Sequence, residues 1–192
     1  MIININEFKS YLIKESFFKE NDYYINKAID RYGSDTYLEE VYEFEYPDND
    51  IIEDSEHYNE FIYDLFSSNI ENIFDDVYNT LEHEPLVYRS ITVSEDWTIE
   101  NLKDKNIGIY WSYDKDKAEP HWGYIKNKKE ILIIGEIIYD DSVNIDETIL
   151  LNLAPGLGEE EKEIRLIKDS YILVKGVEID GEFIEINKEY RV

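Results

Sequence analysis

The sequence predicts an α+β protein, with helices in its first part and strands in its second. Three observations carry this. Apolar residues recur every three or four positions as far as Leu81. Beyond Pro85 they alternate with polar residues or run continuously over short stretches. The charge changes at the same place: residues 1–84 hold 22 Asp and Glu against five Lys and Arg, a balance of −17, and residues 85–192 hold 23 against 14, a balance of −9. Residues 1–84 are therefore expected as a helical acidic part and 85–192 as a β-rich part, together forming one domain or one domain with a helical appendage.

The elements follow in order. Asn6 is a candidate N-cap for a helix with Phe8, Tyr11, Leu12 and Phe18 at helical spacing. A second helix is expected to end at Gly33 in a left-handed cap. Ser34 and Asp35 start a third, with Tyr37, Leu38, Val41 and Tyr42. The strongest helix is capped at Ser55, and its apolar stripe runs from Tyr58 to Leu81. Leu86–Val93, Ile107–Ser112 and Ile131–Ile138 are expected strands. A short helix begins near Asp114, and another covers Asn144–Asn152. Glu161–Leu166 alternates charged and apolar residues as a half-buried strand does. Tyr171–Ile179 and Glu182–Ile186 flank Asp180-Gly181, a hairpin signal.

Composition excludes several classes of function. The chain has no Cys, so disulfides, thiolate metal sites and Cys nucleophiles are out. His57, His83 and His121 lack a zinc spacing, and no metal is expected. No apolar run reaches the ~18 residues of a membrane span, and the N-terminus lacks a signal-peptide pattern. A cytoplasmic protein with no membrane partner is the expectation. The formal net charge of −26 repels nucleic acid and draws basic partners.

Three stretches could carry chemistry. Arg89 sits in an apolar strand, where an unpaired guanidinium is costly, so it needs an anion. A pyrophosphate suits its fork, and an internal carboxylate would serve as well. Tyr110-Trp111-Ser112 ends a strand, where the rings could wall a flat ligand or simply pack in the core, and Ser112 can donate a hydrogen bond. Gly156-Leu157-Gly158-Glu159-Glu160-Glu161-Lys162-Glu163 runs from a loop into a strand that places Glu161 and Glu163 on one face. Such carboxylates can divide the work at a sugar, or belong to a solvated acidic loop.

In order and spacing these stretches resemble the mono-ADP-ribosyltransferases of the Arg-Ser-Glu class, which includes cholera-toxin-like and clostridial toxins. The likeness spans Leu86 to Ile179. It implies a two-sheet β core with short helices, NAD as substrate, and a protein side chain, arginine first, as acceptor. It implies that Arg89 binds the NAD phosphates and that Ser112, with Tyr110 and Trp111, shapes the nicotinamide pocket. Glu163 would stabilise the oxocarbenium-like transition state, and Glu161 would engage the acceptor. Tyr110 and Trp111 stand where the class has Ser and Thr. Glu159-Glu160-Glu161 offers a second register for the Glu-x-Glu motif, but the apolar alternation that begins at Ile164 favours Glu161 and Glu163. A bacterial or phage effector, acting in the host cytoplasm, would fit this pattern. The alternative is a non-catalytic acidic protein that mimics nucleic acid and binds a basic protein, motivated by the −17 balance of residues 1–84.

Overall fold

A computed structural model describes residues 17–47, 56–83, 85–103, 107–118, 127–155 and 162–192. The expected caps Asn6 and Ser55, and Glu161, lie outside these residues. The described chain is α+β: helices α1 (Phe17–Tyr32), α2 (Thr36–Glu45) and α3 (Glu56–His83) precede the strands. Then come β1 (Leu86–Ser94), β2 (Tyr110–Ser112), α4 (Lys115–Ala118), β3 (Lys128–Glu136), α5 (Ile145–Asn152), β4 (Glu163–Arg165), β5 (Tyr171–Ile179) and β6 (Glu182–Arg191).

The helices form for the reasons their sequences suggest. Asp35 caps α2 by accepting a hydrogen bond from the Tyr37 amide at 2.9 Å. The 28-residue α3 buries Tyr58, Ile62, Phe66, Ile70, Ile73, Phe74, Val77 and Leu81 along one stripe. Gly33 follows α1 without a positive φ, so the expected left-handed cap is not used. Its amide bonds instead to the Ile29 carbonyl at 2.8 Å, one more turn of helical geometry.

The six strands make one antiparallel sheet in the order β4-β2-β1-β3-β5-β6, not the two sheets expected. The reason is β1. It pairs along its whole length with β3, from Leu86↔Glu136 to Ser94↔Lys128, and also meets β2 at Tyr88↔Ser112. One strand thus joins what would have been separate layers. The β5–β6 hairpin turns at Asp180 and Gly181, both with positive φ, as the sequence signal requires.

One cluster of buried residues runs through both parts of the chain, from Tyr24 on α1 and Phe74 on α3 to Trp111, Ile133 and Ile164 in the sheet. Helix α5 ties the parts together. Tyr24 on α1 donates to Asp146 at 2.7 Å, Tyr32 donates to the Leu150 carbonyl at 3.1 Å, and Arg31 pairs with Glu147 at 2.8 Å. On its other side α5 completes the sheet edge. The Asn152 amide group donates to the Glu163 carbonyl at 2.7 Å and accepts from the Glu163 N–H at 3.0 Å. The Thr148 hydroxyl accepts from the Arg165 N–H at 3.0 Å. Two side chains four residues apart on one helix face therefore stand in for a seventh strand.

Candidate functional site

Strands β4, β2 and β1 are neighbours, and they carry the three expected residues. Ser112 lies directly opposite Glu163 on β4, and Tyr88 on β1 lies opposite Ser112. Directly opposed residues share a face of the sheet, so Tyr88, Ser112 and Glu163 form one row. Tyr110 and Arg165 form the next row on that face.

Arg89 follows a different course. Alternation along β1 puts it with Val87, whose partner Gly135 faces the Trp111 ring. Its guanidinium enters the gap where β2 parts from β1 and donates from Nη1 to the Tyr110 carbonyl. Gly108 makes room for it: φ is +73° there, and a Cβ would stand 2.7 Å from Arg89 Cζ. Burial pushes the Arg89 pKa down, and the charge of Glu163 opposes that shift. The Arg89 Nε is buried with no hydrogen-bond partner among the described residues.

The remaining expected residues have mixed placements. Ser112 is buried, and its hydroxyl serves the turn after β2: it donates toward the carbonyls of Asp114 (2.9 Å) and Lys162 (3.3 Å) and accepts from the Asp114 N–H at 3.1 Å. Trp111 is 1% exposed and donates to the Gly108 carbonyl at 3.0 Å. It packs in the core with its ring against Gly135 of β3, so of the two roles open to it in the sequence it takes the core one. Tyr110 is exposed, with the Arg165 guanidinium 4.4 Å from its ring centre and hydrogen-bonded to its hydroxyl.

Composition and motif did not single out three residues that the fold adds. Asn152 and Thr148 hold the backbone of Glu163 and Arg165. Tyr32 comes from α1, and its phenol pKa is raised by burial, while Arg31 lowers it and Glu147 and Glu163 add to the rise. The one available signal was the Thr148–Asn152 pair, two polar residues at helical spacing inside an apolar turn.

Beside the row lies a cleft of about 500 Å³ between the last turns of α3 and the ends of β1 and β2. Its strand-side lining includes Tyr88, Tyr113 and Lys162, the chain neighbours of Arg89, Ser112 and Glu163. Asp76, Thr80 and His83 come from α3. Lys162 reaches across it to Asp76 at 3.3 Å, with its ammonium 5.7 Å from the Tyr113 ring centre. The Tyr113 phenol is pushed far above its ordinary pKa by burial first, then by the charges of Asp76 and Asp114. Among the described residues no group of His, Asp and Glu is arranged to hold a metal ion. No helix among them is long and apolar enough to cross a membrane.

Compared with protein families, with curated proteins and with solved structures, the chain finds no match in any of the three.

Proposed function

We propose that the chain is an NAD-dependent mono-ADP-ribosyltransferase that modifies an arginine of a basic protein. The observation that carries this is the direct opposition of Ser112 and Glu163 on adjacent strands, with Arg89 on the strand next to them. The ionised Glu163 carboxylate stabilises the positive charge that grows on the nicotinamide ribose as its C1′–N bond breaks. The bonding pair leaves with nicotinamide. A guanidinium nitrogen of the acceptor then bonds to C1′ and loses a proton. Arg89 pairs with the pyrophosphate, Ser112 and Tyr110 border the nicotinamide, and Glu161 engages the acceptor.

The experiment is incubation with NAD, measuring free nicotinamide and labelled protein. Glu163→Gln keeps the shape and loses the charge. It should lower both NAD hydrolysis and transfer by about 10²-fold, the effect of losing roughly 3 kcal/mol of electrostatic stabilisation. Glu161→Gln should impair transfer and spare most of the hydrolysis. Arg89→Ala should abolish thermal stabilisation by NAD. Wild-type protein that releases no nicotinamide at millimolar NAD ends the proposal.

A second reading, an acidic mimic of nucleic acid, draws on one observation. Glu56, Glu60, Asp64, Glu71 and Asp75 are exposed along α3, mostly four residues apart. That spacing stacks carboxylates on one side of the helix at about 6 Å per step. This reading predicts tight binding to a nucleic-acid-binding protein that Glu163→Gln leaves untouched and that NAD does not alter.

A further inference from the structure

We propose that the cleft between α3 and the ends of β1 and β2 receives an arginine side chain of a basic partner protein, with Lys162 as its resting internal occupant. This deepens the acceptor half of the function proposed above and rests on it for the chemistry that follows. Its binding test needs no NAD, so either can fail alone.

The cleft already holds a cation in the way a ligand cation would be held. The Lys162 ammonium lies over the face of Tyr113 and against the Asp76 carboxylate. A cation over an aromatic ring and beside a carboxylate is the arrangement that recognises guanidinium and ammonium groups. Neither contact is tight: the ion pair is 3.3 Å long and both partners are partly exposed. An exposed pair of this kind contributes little to stability, so displacing Lys162 costs little.

Two carboxylates, Asp76 and Asp114, line the cleft beside Lys162. Lys115 is drawn to Glu178 at 2.8 Å. The Tyr113 phenol is raised above its ordinary pKa by burial first and then by the charges of Asp76 and Asp114. A nucleotide phosphate would meet the same carboxylates and be repelled. The net charge of −26 steers basic proteins toward the molecule from a distance. Arginine suits the cleft better than lysine, because its planar group both stacks on tyrosine and binds a carboxylate through two N–H groups.

Opening the cleft needs no movement of the chain. The Lys162 backbone has φ of 47°, and its carbonyl accepts from the Tyr113 N–H at 2.9 Å and from the Ser112 hydroxyl. Only the lysine side chain has to swing away. Its backbone is continuous with Glu163, whose side chain belongs to the neighbouring row. An arginine in the cleft would thus dock the partner one residue from the carboxylate proposed to act on NAD.

The test is calorimetric titration of the full chain at low salt with an arginine-rich peptide, a lysine peptide of equal charge, and AMP. Lys162→Ala should tighten arginine-peptide binding by about 5-fold or more, and Asp76→Asn should weaken it by a similar factor. Lys188→Ala on β6 makes the same charge change far along the chain and should move the affinity less than 2-fold, as should Asp64→Asn on α3. Lys162→Met, together with circular dichroism of each variant, separates loss of the occupant from loss of fold. Equal shifts in Lys162→Ala and Lys188→Ala would reduce the effect to net charge and overturn the proposal. So would AMP binding that Lys162→Ala abolishes, which would make the cleft an anion site. A lysine peptide that binds as well as the arginine peptide would overturn the preference for arginine.

Discussion

The helical and strand parts both bury large apolar side chains, but they treat polar groups differently. Among the described residues before Pro85, Asn21 is the one buried polar side chain; after it there are Ser112, Ser142, Thr148 and Asn152. Helices satisfy their own backbone, so apart from Asn21 the core between α1, α2 and α3 is built from Tyr, Phe, Ile, Leu, Val and Ala. The strand part has three-residue strands and irregular connections that leave N–H and C=O groups over. Side chains take them up: Ser112 at the turn after β2, Ser142 on the Tyr171 carbonyl, Thr148 and Asn152 along β4. Chemistry is best placed in the polar-braced part. A side chain held by such a network is fixed in position, and Glu163 sits in the densest part of it.

The strand part is most vulnerable at Trp111, its largest fully buried side chain. Trp111 covers Gly135, where a Cβ would come within 3.1 Å of its ring, and it hydrogen-bonds the Gly108 carbonyl. Trp111→Ala should cost about 4 kcal/mol by the usual scale for deleting a buried aromatic. Urea denaturation measures it. A loss below about 1 kcal/mol would mean that the helical part alone sets the stability of the chain.

Asn152→Leu addresses the polar difference directly. The substitution keeps size and removes both bonds to the Glu163 backbone. Leaving those groups unsatisfied should cost about 2 kcal/mol. If Glu163 acts on NAD, nicotinamide release should also fall at saturating NAD, with little change in KM. A variant that loses stability while keeping full turnover would show that Asn152 closes the sheet edge without positioning the carboxylate.

Much of the fold was legible in the residues, and the failures have local causes. The stripe from Tyr58 to Leu81, the start of α2 at Asp35, the short helix over Asn144–Asn152 and the Asp180-Gly181 turn all form as their sequences suggest. Strand β2 is shorter than Ile107–Ser112, because Gly108 adopts positive φ to admit the Arg89 guanidinium, a demand made by a distant strand. Strand β6 runs on past Ile186 to Arg191, since an edge strand paired on one side tolerates the exposed charges that mask its periodicity. The single sheet was hidden because strand pairing is not written in period or propensity. At the candidate site the residue types were legible, and so was the order Arg, Ser, Glu. The course of Arg89 into the gap beside β2, the burial of Trp111 and the clamp from Asn152 depend on tertiary geometry that spacing does not encode.

The helical part holds a buried amide of its own. Asn21 on α1 is 8% exposed, and its Oδ1 is buried with no hydrogen-bond partner among the described residues. The same change made at Asn152, Asn to Leu, should therefore behave differently here. At Asn152 it removes partners from two part-buried backbone groups. At Asn21 it removes an acceptor that is itself unsatisfied, and it adds apolar surface beside a core made of apolar side chains. Leucine is also the better helix former, by a few tenths of a kcal/mol. Asn21→Leu should leave stability within about 0.5 kcal/mol of wild type or raise it, against the loss of about 2 kcal/mol expected at Asn152. Parallel urea titrations of the two variants decide the matter. Equal losses would mean that the Asn21 amide is bonded as firmly as that of Asn152, and the contrast between an apolar helical core and a polar-braced sheet would fall.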